Sequence, residues 1–180
     1  MTTENEVAAA DVSTWVERQL KELKFTFERT DDDFSFNLGI QNCKIKSVNV
    51  AIHVIGTQIV GYAVPYLSVS EELRAMVAEL ITRINYNLFY GCWQMDYCDG
   101  EIRYVYKIPL PTTEMSTREA LRHILGIILG TYSAYTDAIL AVLCGAKTAE
   151  EAIYDLEGDD EEEEEGGDDE DEEFDDEDSF

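Results

Sequence analysis

The chain has 180 residues, of which 39 are Asp or Glu and 13 are Lys or Arg, so its formal net charge is −26. Positions 157–180 hold 18 of the acidic residues and no basic one, which leaves 21 acidic and 13 basic residues, a net charge of −8, for positions 1–156. About 150 residues suit a single domain. Because phosphates and anionic lipids repel such a chain, its charge argues against direct binding of nucleic acid or of a membrane.

Neither the N-terminal residues nor the apolar stretches carry a targeting signal. Residues 1–11 contain no basic side chain and no long apolar run, and residues 124–144 are interrupted by Gly126, Gly130 and Asp137. This stretch fits a buried helix better than a membrane span, and no signal peptide is predicted. We therefore expect a cytoplasmic protein whose four cysteines are free thiols.

Hydrophobic periodicity predicts the elements of the first third of the chain. Apolar residues spaced by three and four favour a helix over residues 12–23. The period then changes to two, which is typical of strands, around residues 25–28, 34–38, 45–55 and 59–66. A meander of three or four antiparallel strands is the simplest arrangement.

The next elements are a helix and a hairpin. A helical stripe runs from Ser68 or Ser70 to Gly91, where a glycine is a natural end. Residues on both sides of Asp99-Gly100 alternate in polarity, and this dipeptide is a strong signal for a tight turn between two strands. Proline at position 109 ends the second strand.

Two helices complete the predicted order. Ser116 and Glu119 form an S-x-x-E start for a long helix that ends at Gly145. A short helix over residues 148–156 begins with a capping box of Thr148 and Glu151.

The resulting order, α-β-β-β(-β)-α-β-β-α-α, predicts an α+β fold. Because each element has only one apolar face, the helices must cover one face of an antiparallel sheet. We predict a flexible N-terminus at residues 1–11, one α+β domain at residues 12–156 and a disordered acidic tail at residues 157–180. The tail has too little apolar surface to offset the entropy of ordering it.

The segment at residues 84–110, INYNLFYGCWQMDYCDGEIRYVYKIPL, resembles the YbjN family of bacterial sensory transduction regulators. The resemblance extends over roughly residues 12–146. The residues that carry it are an Asn near a helix end, a Gly-x-aromatic-x-aliphatic-Asp run, an Asp-Gly turn and an Ile-Arg-Tyr strand before Pro-Leu: Asn85 or Asn87, Gly91, Trp93, Met95, Asp96, Asp99, Gly100, Ile102, Arg103, Tyr104, Pro109 and Leu110.

This resemblance implies a fold similar to that of type III secretion chaperones, usually a homodimer. It also implies a non-enzymatic role that faces other proteins, and it implies no catalytic residue. The acidic tail lies outside the usual family pattern.

The residues themselves point to no reaction. His53 lies on the polar face of its predicted strand, and His123 lies on the polar side of the long helix. No nucleotide-binding or hydrolase motif is present, and the cysteines and histidines are too scattered for a zinc site. We predict no enzyme activity, no metal and no cofactor.

Four residues near the hairpin are the candidates for a binding site: Trp93, Asp96, Arg103 and Tyr104. Asp96 and Arg103 are predicted to be near neighbours across the hairpin, as a structural ion pair or as anchors of a ligand. The leading prediction is a dimeric module that binds a protein segment through an apolar helix face or an exposed sheet edge. The alternative is a small-molecule sensor with a pocket lined by Trp93, Tyr104 and Tyr106.

Phe180 is the fifth candidate, because it places an aromatic ring beside the terminal carboxylate after a run of acidic residues. This end is similar to the acidic tip of bacterial single-stranded-DNA-binding proteins, which docks in basic pockets with apolar floors. Two other interpretations stay open. The tail can act only as a solubilising segment, or it can shield a basic patch on a partner.

Overall fold

The computed structural model describes most of the chain as an antiparallel sheet with helices on one face. The described residues are 3–31, 33–41, 43–55, 58–109 and 117–164; at 3–11, 117–118 and 157–164 this description covers the backbone only. In chain order the elements are α1 (Thr3–Glu22), β1 (Glu28–Thr30), β2 (Asp33–Gly39), β3 (Ser47–Ile55), β4 (Gln58–Pro65), α2 (Arg74–Asn87, after a 3₁₀ turn at Glu71–Leu73), β5 (Cys92–Met95), β6 (Ile102–Pro109), α3 (Thr117–Leu143) and α4 (Ala149–Glu164).

The predicted α+β class and element order are confirmed, with four strands before α2. The two terminal helices are longer than predicted, because α1 begins at Thr3 and α4 continues to Glu164. The division into residues 1–11, 12–156 and 157–180 stays a prediction. Gly56 and Thr57, in the connection between two predicted strands, and the predicted helix start Ser116 lie outside the described residues.

All six strands pair antiparallel in the order β1-β2-β3-β4-β6-β5. Alternation decides which face is buried: Val48, Val50, Ile52 and Val54 of β3 point to the helices, while the residues between them are exposed or half-buried. The sheet has two edges, β1 and β5. The helices therefore leave one sheet face and two strand edges open to other contacts.

Helix α3 lies across β4 and β6, and its close approach depends on a glycine. A Cβ atom on Gly61 would lie 2.3 Å from Ile128 Cδ1 and 2.7 Å from Ile124 Cγ2. Both isoleucines are fully buried. Only glycine at position 61 leaves room for these side chains against the sheet.

Helix α3 is also long and apolar enough to cross a membrane by length and composition. In the structure its buried stripe instead packs in the core with Leu121, Tyr132 and Val142. It ends at Leu143, and just beyond that end Gly145 has a φ of +66° while the Ala146 N–H donates to the Ala141 carbonyl at 2.9 Å.

The predicted start of α4 is confirmed. The Glu151 N–H donates to Thr148 Oγ1 at 3.2 Å, and the Thr148 N–H donates to Glu151 Oε2 at 2.8 Å. These hydrogen bonds lower the pKa of the Glu151 carboxyl group, because they stabilise its ionised form.

Two predicted boundaries are wrong for local reasons. Phe25 and Phe27 precede β1, because the chain turns at Lys24 (φ +62°), and their rings pack against Phe36 and Phe34. Helix α2 ends at Asn87 and not at Gly91, since Leu88 is already extended with ψ of 124°.

Candidate functional site: a groove beside the edge strand

A groove between α2 and the outer edge of β5 brings together three of the predicted binding residues, Trp93, Asp96 and Arg103. Its volume is about 590 Å³, and β5 with the residues just after it forms one wall while α2 forms the other. The remaining lining residues are Ala78, Ile81, Thr82, Gln94, Met95 and Tyr97. We call this the edge groove.

Asn85 closes one end of the edge groove by binding the main chain of β5. Its Nδ2 donates to the Trp93 carbonyl at 2.9 Å, and its Oδ1 accepts the Trp93 N–H at 2.8 Å. The side-chain amide thus makes the two hydrogen bonds that another strand would make to Trp93. The sequence pattern includes Asn85 but gives no reason to assign it this role.

The hydrogen-bonding pattern of the hairpin leaves the main chain of Met95 facing the groove. Asp96 N–H donates to the Glu101 carbonyl at 2.8 Å, so Asp96 and Glu101 form a hydrogen-bonded pair. Outward and inward groups alternate along an edge strand. The main-chain N–H and C=O of Trp93 point away from β6 and bind Asn85. The N–H and C=O of Met95, two residues later, therefore point away from β6 as well.

The opposite end of the edge groove is closed by Arg74, which donates from Nη1 to the Tyr97 carbonyl at 3.0 Å. Between Trp93 and Tyr97, whose main-chain groups are bound by side chains of α2, only Met95 has outward main-chain groups that remain available.

Trp93 lines the edge groove, and its indole ring belongs to the buried core. It is 1% exposed and packs against Tyr104 and Tyr132, with ring centroids 5.7 Å and 6.3 Å away. Its Nε1 is buried and has no hydrogen-bond acceptor among the described residues. A buried donor without an acceptor is energetically costly.

Asp96 and Arg103 line the same groove, but they do not lie directly opposite each other across the hairpin. A two-residue turn at Asp99-Gly100 would place them opposite each other. The turn instead spans residues 97–100, and the strand register places Gln94 opposite Arg103. Arg103 Nε donates to Gln94 Oε1 at 3.1 Å, while Asp96 Oδ1 accepts the Cys98 N–H at 2.8 Å.

Tyr104 does not line the edge groove, and the predicted pocket of Trp93, Tyr104 and Tyr106 is absent from the described grooves. Tyr104 is fully buried, and its hydroxyl donates to the Tyr90 carbonyl at 2.5 Å. Burial raises the pKa of the Tyr104 hydroxyl group, which therefore stays a neutral donor at physiological pH. Tyr106 is half-buried and contacts His123, with 3.2 Å between Tyr106 Oη and His123 Nε2.

The remaining candidates offer no reactive centre. His53 is half-buried on the open sheet face, where its Nδ1 lies 2.6 Å from Asp33 Oδ1. Phe180 lies outside the described residues. Within the described part of the chain, no group of three His, Cys, Asp or Glu side chains could hold a metal ion.

One exposed surface was missed by the periodicity argument. Tyr86, Phe89 and Tyr90, at the end of α2 and after it, are 90%, 95% and 53% exposed. The sequence feature that could have revealed this surface is the concentration of aromatic residues at positions 86–90. These aromatic residues are not required for the buried stripe of the helix. Exposed aromatic clusters of this kind are typical of interaction surfaces.

Comparison with known proteins gives one family. The model of the YbjN family, described as "Putative bacterial sensory transduction regulator", matches residues 13–141. The crystal structure of YbjN, "a putative transcription regulator from E. coli", is similar with a TM-score of 0.47 and 11% identity over 68% of this chain and 92% of that chain. No curated protein matches the chain.

The role of Asn85 predicts a loss of stability on truncation. Asn85→Ala leaves the N–H and C=O of Trp93 unpaired beside the core, which should lower the free energy of unfolding by about 2 kcal/mol. Urea denaturation measures this loss. Thr82→Ala, an exposed change on the same helix, should stay within about 0.5 kcal/mol of the unchanged protein. Equal midpoints for the two variants would contradict the role of Asn85.

Proposed function

Since this chain belongs to the YbjN family, whose description is a regulator of bacterial sensory transduction, we propose that it regulates by binding an extended segment of a protein partner in the cytoplasm. The family description supports the regulatory role. The proposal adds the mode of action, which is non-enzymatic recognition of a polypeptide.

The observation that carries the proposal is the open main chain of Met95 in the edge groove. A segment lying between β5 and α2 would accept from the Met95 N–H and donate to its carbonyl, as an added strand does. Asn85 and Arg74 occupy the main chain on either side, so the segment can gain only this one pair of hydrogen bonds. Specificity must then come from side chains in the groove.

The side chains of the edge groove suit a segment that carries both polar and apolar groups. Ala78, Ile81 and Met95 offer apolar contact, while Asp96 and Arg103 supply one charge of each sign. The other sheet edge is less suitable, because β1 is three residues long and its residues are all exposed. Short edge strands protect a sheet from strand addition.

Replacing Met95 with proline tests the main-chain contact. Proline removes the outward N–H without breaking the ladder to β6, because that N–H does not pair with β6. Peptides of about twelve residues are first selected for binding to the unchanged protein from a displayed random library. These peptides should bind Met95→Pro at least about fivefold more weakly than Met95→Ala, because a fivefold loss of affinity corresponds to about one hydrogen bond.

Met95→Ala is the matched control, since both variants lose the methionine side chain and only proline loses the N–H. Fluorescence anisotropy gives the dissociation constants, and urea midpoints verify that both variants fold. Equal affinity for the two variants would contradict strand-type recognition, and failure to select any groove-binding peptide would contradict the proposal as a whole.

A small-molecule sensor is the second candidate, and the buried Nε1 of Trp93 favours it. A metabolite with a carboxylate or carbonyl oxygen could accept this unpaired N–H. Trp93→Phe keeps an aromatic ring and removes the donor. In a thermal-shift screen, metabolites that raise the melting temperature of the unchanged protein should raise that of Trp93→Phe much less. Equal shifts in both proteins, or no shift, would count against a sensor that uses this donor.

We also propose that two copies associate through the outer face of α3. Residues 123–136 contain no Asp, Glu, Lys or Arg, although 29% of the chain is charged. Gly126, Gly130 and Ala134 recur on the exposed side of this helix, and nothing lies within 4 Å of a Cβ built on either glycine. For a chain with a net charge of −26, an uncharged surface is where two copies can meet with the least repulsion.

Light scattering after size exclusion tests this association. The unchanged protein should have twice the 20.4 kDa mass of the chain at micromolar concentration, and Gly130→Glu should be a monomer. Ala75→Glu adds the same charge to an exposed position of α2 and should remain dimeric. A monomeric unchanged protein would overturn the proposal. So would co-flotation of the unchanged protein with lipid vesicles that is lost in Gly130→Glu, since the face would then bind lipid.

A further inference from the structure

A second groove lies between the C-terminal half of α3 and α4, at the base of the acidic tail. Its volume is about 390 Å³, and Lys44 from the connection between β2 and β3 closes one side. The apolar lining residues are Ala138, Leu140, Ala141, Ala146, Ala152 and Leu156. We call this the tail groove.

The size of the tail groove suits a single aromatic side chain. Binding sites for small molecules span about 300–1,000 Å³, so this volume is near the lower limit. Alanine side chains supply most of the apolar lining, and they leave the space that larger residues would fill. An occupant with one ring and little else matches this shape.

Lys44 gives the tail groove an available positive charge. Lys147 forms an ion pair with Asp155, and Asp137 Oδ1 accepts the backbone N–H of Lys44 at 2.8 Å. The Lys44 ammonium group has no ion-pair partner among the described residues. An anionic group beside the ring can therefore pair with Lys44, while Asp137 and Asp155 repel additional acids.

The chain supplies an occupant of this chemistry. After Leu156 its only large apolar residues are Phe174 and Phe180, and the rest are acidic residues with three glycines and one serine. The backbone from Leu156 to the end of α4 at Glu164 spans about 12 Å. Positions 165–180 can extend about 50 Å, so position 180 can return to the groove.

We infer that Phe180 of the same chain docks in the tail groove, with its ring against the alanine side chains and the carboxylate of Asp178, two residues before it, beside Lys44. Phe180 fits better than Phe174, because the uncharged Ser179 directly precedes it. Phe174 has an acidic residue on each side, and its docking would bring both toward Asp137 and Asp155. Tethering gives Phe180 an effective concentration in the millimolar range, which supports a weak contact.

Cys144 is a native reporter of this contact. It is a free, exposed thiol that lines the tail groove, and Cys98 is an exposed thiol outside it. Uncharged N-ethylmaleimide should modify Cys144 about threefold faster in Phe180→Ala than in the unchanged full-length chain, as expected for a tethered contact of millimolar strength. Mass spectrometry of the digested chain gives both rates, and that of Cys98 should not change.

Phe174→Ala is the matched control and should leave the Cys144 rate at that of the unchanged protein. A chain that ends at Glu164 should match Phe180→Ala. The inference is overturned if Phe180→Ala leaves the Cys144 rate unchanged or if Phe174→Ala raises it equally. Protection of Cys144 that increases as the protein concentration rises from about 1 to about 100 micromolar would mean that Phe180 docks in another copy of the chain. That result would overturn docking within one chain.

Discussion

Burial of only one sheet face is the constraint on which the rest of this structure depends. The helices α1, α2 and α3 all pack on that face, and Gly61 allows α3 to lie close to β4. In this sheet β5 is an edge strand, so some of its main-chain N–H and C=O groups point away from β6 and toward α2 or solvent. The edge groove exists because α2 runs beside this edge without pairing with it.

The amide of Asn85 then decides how much of that edge remains available. It satisfies both main-chain groups of Trp93, which would otherwise invite pairing with another chain. The edge is thus protected against open-ended strand addition, while one position stays free for a specific contact. If a protein segment binds as proposed, such a short hydrogen-bonded contact makes affinity depend on the side chains of that segment.

The sequence predicted what depends on periodicity. Alternation predicted the buried faces of β2, β3 and β6, and the capping box of Thr148 and Glu151 predicted the start of α4. Local conformation limited the rest. Lys24 turns the chain before β1, and a four-residue turn shifts the hairpin so that Asp96 and Arg103 do not face each other. Hydrophobic patterns could not reveal Asn85, since its role depends on where α2 lies beside β5.

Charge determines which surfaces of this molecule can bind which partners. The part of the chain before the tail is acidic, and the tail adds 18 more negative charges. A neutral or basic segment is therefore favoured in the edge groove, where an acidic segment would meet Asp96 and the long-range repulsion of the tail. Docking of Phe180 would hold the tail near α4. Release of the tail would change the electrostatic field around the protein without changing its fold, so a basic partner that captures the tail could alter what the rest of the chain binds.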